Sequence, residues 1–106
     1  MEKYKIDIAK DFSPVLGGRY KKLGPFSGEE FYESYLEPMY IKAKDDNEML
    51  YIYMDGVKSY PSSFLDQSFG ELWRKYTSID DVKTRIVFKQ VTKQWTVDYI
   101  NNDIWK

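Results

Sequence analysis

The chain contains no cysteine and no histidine. Without thiols there is no disulfide framework and no thiolate nucleophile. Without imidazole there is no Ser-His-Asp or Cys-His catalysis, and most zinc and iron sites lose their usual ligands. No apolar run approaches the ~18 residues of a membrane span. The N-terminus lacks the apolar core of a signal peptide. An excess of one charge is missing too: 16 basic residues stand against 17 acidic, a net of −1. No cationic surplus is there to neutralise the phosphates of nucleic acid. Together these absences predict a cytoplasmic, non-enzymatic protein with no cofactor or metal, whose partners are neither nucleic acid nor membrane.

What is present is aromatic. In 106 residues, 42 % are hydrophobic and 18 % aromatic, with ten tyrosines. That length and composition fit one globular domain over residues 1–106 with one core. Tyrosines pack as apolar bodies while their hydroxyls seek water or a partner, so they suit either a core margin or a contact surface.

Tyr4, Ile6 and Ile8 alternate with Lys5 and Asp7, the period of a half-buried strand. Asp11 to Gly24, with Pro14, Gly17, Gly18 and Gly24, reads as an ordered loop or a loose hairpin. Ser27 and Glu30 have capping-box spacing, and Phe26 and Phe31 occupy the flanking staple positions. Phe31, Tyr32, Tyr35, Leu36 and Met39 continue as a helical stripe, which Pro38 should kink or split. Met49 to Met54 is almost wholly apolar and predicts a central strand covered on both faces. A second helix is expected from about Ser63 to Tyr76, with Leu65, Phe69, Leu72 and Tyr76 inward. Thr77 to Val82 connects to a strand over Arg85 to Val91, and Trp95 to Ile104 reads as a closing helix or a strand. Strands alternating with helices imply an α/β or mixed sheet with right-handed crossovers.

Several residues invite functional readings. Ser62 and Ser63 stand where the second helix begins, either as caps or as phosphate acceptors, because that helix end favours negative charge. Asp66, three residues after Ser63, makes Ser63 the natural cap and leaves Ser62 the freer hydroxyl. Asp55 ends the central strand, where it either lines a crevice or caps the Gly56 turn. With Asp66 it would make a carboxylate pair, a weak magnesium signal. Gly17-Gly18-Arg19-Tyr20 permits close backbone approach, and Arg19 either holds an anion or pairs with a carboxylate. No Gly-Lys-Ser/Thr follows, so this is not a P-loop.

Asp11-Phe12-Ser13, Gly17 to Tyr20, Ser27 to Phe31, Tyr60 to Asp66 and Phe69-Gly70 together resemble the bacterial STAS-like domain family of unknown function, over roughly residues 4 to 90. Asp55 to Phe69 is more distantly similar to the STAS anti-sigma factor antagonists. In those domains a serine in an Asp-Ser-Ser-Gly-Leu motif is phosphorylated by a partner kinase of the histidine-kinase-like ATPase fold. Ser62 falls at that position with Ser63 beside it, and Leu65 matches the apolar residue. Pro61 replaces the motif's aspartate and Phe64 its glycine. The resemblance implies a STAS-like mixed sheet with helices mainly on one face. It also implies a regulatory module that binds a protein partner through Asp55, Ser62, Ser63, Phe64 and Asp66, with Ser62 or Ser63 as phospho-acceptor. Whether the domain acts as a monomer or a homodimer stays open. The alternative is a small anion- or nucleotide-binding domain built on Arg19 and the Gly17–Tyr20 loop.

Overall fold

The computed structural model describes residues 2–76 and 81–106. The expected connector over 77–82 lies largely outside them. Three short strands, β1 (Tyr4–Asp7), β2 (Leu50–Tyr53) and β3 (Ile86–Lys89), form a sheet in the order β1-β2-β3. Both pairings are parallel, with Ile6 opposite Ile52 and Ile52 opposite Phe88. The fold is α/β. Its sheet is parallel throughout the described residues rather than mixed, because each connection between strands carries helix and returns the chain to the same end.

Helix α1 spans 28–45, α2 spans 62–76 and α3 spans 94–104; short helical turns occur at Ile8–Phe12, at Lys21–Leu23 and at Val82–Arg85, the last leading into β3. Ser27 caps α1 through the Glu30 amide, and the Glu30 carboxylate accepts from the Phe26 amide. The capping box therefore forms, reaching back one residue further than its usual register. Phe26 and Phe31 do not staple directly. Phe12 sits between them, 5.7 Å from Phe26 and 5.2 Å from Phe31, ring centre to ring centre. Pro38 does not break α1. The turn ahead of it widens, and the Glu37 amide bonds the Tyr32 carbonyl five residues back. A wide turn accommodates the missing proline amide without ending the helix.

The two faces of the sheet differ. Ile6, Leu50, Ile52 and Ile86 are buried against the helices, together with Phe31, Leu36, Phe64, Leu65, Phe69 and Trp105. On the other face Tyr51, Tyr53, Val87 and Lys89 remain partly exposed and Lys5 is exposed. β2 is central but covered on one face only, which corrects the expectation drawn from its apolar run. Its two outward tyrosines carry hydroxyls, and that of Tyr53 is donated to Glu2, so each offers a wet edge as well as an apolar ring. The closing segment is helix, with Val97 and Ile100 buried and the Trp105 indole donating to the Phe69 carbonyl at 3.0 Å.

Candidate functional site

The loop after β2 and the start of α2 form one end of the molecule. α2 begins at Ser62, one residue earlier than its pattern suggests, and Pro61 becomes the cap residue. No side chain caps this end. Ser63 therefore does not form a box with Asp66. The Asp66 carboxylate is drawn instead to Arg19, at 2.5 Å, and to Arg74, at 3.7 Å. Ser62 is exposed and Ser63 half-buried. A charged guanidinium competes better for a carboxylate than one backbone amide does.

Phe64 is fully buried, its ring 5.6 Å from Phe31 and 6.3 Å from Phe12. It is a core residue, so its side chain is not available to a partner; an aromatic ring of that size gains more from burial than from a wet surface. Asp55 is also committed. Its two oxygens accept from the amide and hydroxyl of Thr92, at 2.9 and 2.8 Å. These bonds, the amide first, hold its carboxyl below the usual aspartate range. Asp55 thus ties the end of β2 to the segment after β3. Asp55→Ala is expected to speed amide exchange at residues 54–57 and 90–93 while leaving the core protected, measured by hydrogen–deuterium exchange. Asp55 and Asp66 are held by separate partners, and no cluster of three acidic residues suited to a metal occurs among the described residues.

The Gly17–Tyr20 loop is built into the first turn of α1. The carbonyls of Gly18 and Arg19 accept from the amides of Gly28 and Glu29, at 2.9 and 3.0 Å. Those amides are among the ones a helix start leaves unpaired, and here the protein itself fills them. Gly17 donates to the Phe26 carbonyl, and a Cβ on Gly17 would lie 2.3 Å from the Pro25 carbonyl oxygen. Arg19 holds Asp66 rather than an open site. The loop is thus structural, and the anion-binding alternative gains no support from it.

Sequence patterning missed what this loop displays. Val15 is 52 % exposed and Leu23 67 %, with Tyr20 and Phe26 also exposed. The loop is nevertheless pinned: the Lys58 amide donates to the Pro14 carbonyl at 2.9 Å, and the Lys21 amide to Glu29. Phe26 adopts φ +58°, a left-handed conformation that bulky residues rarely hold. The only sequence signal was a set of apolar residues with neither helical nor strand period between prolines and glycines.

The family comparison now bears on this geometry. Residues 27–95 match a family described as a STAS-like domain of unknown function. This chain belongs to that family. The match takes in α1, β2, α2 and β3 and the uncapped start of α2, and the one-sided sheet agrees with a STAS-like architecture. No curated protein and no solved structure matches the STAS-like chain. None of its described helices is long and apolar enough to cross a membrane.

Proposed function

We propose that this STAS-like domain is a non-enzymatic regulatory module that binds a protein partner at the end where α2 begins. The observation that carries the reading is the pinned loop before α1. A loop held by this many backbone bonds has little freedom left to lose, and it still presents Val15, Tyr20, Leu23 and Phe26 to solvent. Apolar side chains on a preorganised support lower the entropic cost of association. The Lys58–Pro14 bond joins this loop to the segment that leads into Ser62.

Ser62 is the switch within this reading. It is exposed at the first position of a helix whose start has no side-chain cap. A phosphate there would gain from the free amides and the helix dipole, and would present about two negative charges to the partner. The partner that fits is an ATPase of the histidine-kinase-like fold, which would supply the phosphoryl group and the catalytic base that Pro61 cannot.

Incubation with ATP and the ATPase of that fold encoded nearest to it, followed by mass spectrometry and calorimetry, tests both parts. Phosphate is expected on Ser62, and Ser62→Asp is expected to weaken binding by about tenfold or more, roughly 1.4 kcal/mol. Leu23→Ser should weaken binding without touching the acceptor. Unmodified Ser62 in every condition, with unchanged binding by Ser62→Asp, sinks the switch. Unchanged binding by a Val15→Ser, Leu23→Ser double variant removes the loop from the interface.

A further inference from the structure

All three strands end at the same edge of the sheet, and the helices pack on the opposite face. On the open face at that edge lies a cleft of about 360 Å³ lined by Lys5, Asp7, Lys10, Asp11, Tyr53 and Gln90. We infer that this cleft binds a small zwitterion, a compact molecule with one ammonium and one carboxylate, of which free α-amino acids are the plainest class. The inference is independent of the partner-binding reading.

The charges of the walls carry the argument. Two ammonium and two carboxylate groups share one small cleft, and no pair among them comes within ion-pair distance in the described residues. Elsewhere on this surface such groups do pair: Lys3 with Asp46, Lys21 with Glu33, Lys75 with Glu37 and Lys89 with Glu2. The carboxylates in the cleft are held apart by the backbone. One Asp7 oxygen accepts from the Lys10 amide at 3.2 Å, and one Asp11 oxygen accepts from the Asp7 amide at 2.8 Å. Each carboxylate keeps its second oxygen for a ligand. A singly charged ligand can pair with only one sign of group in these walls, whereas a molecule carrying both signs can pair with an ammonium and a carboxylate at once.

The remaining lining gives the cleft shape. Tyr53, which lines the cleft, donates its hydroxyl to Glu2, which is not among the lining residues. Gln90 follows β3 at φ +51°, a conformation in which non-glycine residues are uncommon and which clusters at ligand sites. A volume of this order lies at the small end of ligand pockets.

Amide NMR titration of the intact domain with glycine, L-serine, L-glutamine and L-glutamate tests the site, with acetate and methylammonium as single-charge controls. Saturating shifts confined to residues 5–11, 53 and 90 are expected for at least one amino acid and for neither control. Lys10→Gln and Asp11→Asn should each weaken that binding by about tenfold or more, roughly 1.4 kcal/mol. Both variants keep the fold, because the Lys10 side chain is exposed and asparagine can still accept from the Asp7 amide. Absence of saturation in the millimolar range, acetate binding as tightly as the amino acids, or full affinity in both variants would each overturn the inference.

Discussion

Phe64→Ala is expected to lower the unfolding free energy by about 3–5 kcal/mol, the cost of truncating a buried phenylalanine. The ring is fully buried and contacts Phe12 and Phe31, which themselves meet Phe69 and Tyr35. Removing it opens a void under the start of α1. The surroundings cannot close that void freely. Gly28 packs so near that a Cβ there would lie 2.6 Å from the Phe64 carbonyl oxygen. That carbonyl also accepts from the buried Ser68 hydroxyl at 2.7 Å, which fixes this turn of α2. A domain of this size has roughly 5–15 kcal/mol in all, so the variant sits near the edge of folding. Urea denaturation should show a lower midpoint with an unchanged slope, the sign of lost stability rather than an altered unfolded state. A loss below about 1 kcal/mol would mean that the ring is not packed as described.

The same residue marks where reading along the chain stops being enough. The resemblance puts Phe64, which stands where the motif has glycine, among the partner-binding residues, yet a helical position one residue past Ser63 can face either way. Only the arrival of Phe12 and Phe31 from other elements turns it inward. Ser63 and Asp66 likewise had the spacing of a cap. Arg19 comes from a loop 47 positions away, and no local pattern announces that it will take the carboxylate. By contrast, α1 with its Ser27 cap, β2 as the central strand, and α2 with Leu65, Phe69 and Leu72 inward depended on local spacing and were legible. The open face of the sheet was not, because tyrosines satisfy a buried pattern and a half-exposed position equally well. The cleft at the strand ends was hidden for a related reason. Its residues are common surface types from three separate segments, and only the parallel register brings them together.

Glu37→Gln should cost about 1.5–3 kcal/mol at neutral pH, the range for hydrogen bonds to a charged group. One Glu37 oxygen receives three donors: the Tyr32 hydroxyl at 2.7 Å, the Lys75 ammonium at 2.7 Å and the Tyr76 hydroxyl at 3.1 Å. Tyr32 lies on α1 and the other two end α2, so this carboxylate locks the two helices together. Glutamine keeps the shape but loses the charge and places an amide where an acceptor stood. Burial acts against ionisation of Glu37, but the bonds from Lys75, Tyr32 and Tyr76 outweigh it and hold the carboxyl below its ordinary value of 4.5. The sign of the pH dependence follows. A carboxyl depressed on folding contributes its full stabilisation above its unfolded value and loses it as the pH falls through the folded one. The difference between wild type and Glu37→Gln should thus be constant from pH 7 down to about 5 and shrink through the acid range below 4.5. At the alkaline end Tyr32 gives the wild type the opposite slope. Burial, then the bond to Glu37, pushes the Tyr32 hydroxyl well above its ordinary value of 10, so unfolding releases its proton and stability falls as the pH rises past that value. Urea midpoints of both proteins measured across the pH range decide the matter: a gap that stayed the same at pH 3 would assign the loss to packing rather than to the ionised carboxylate.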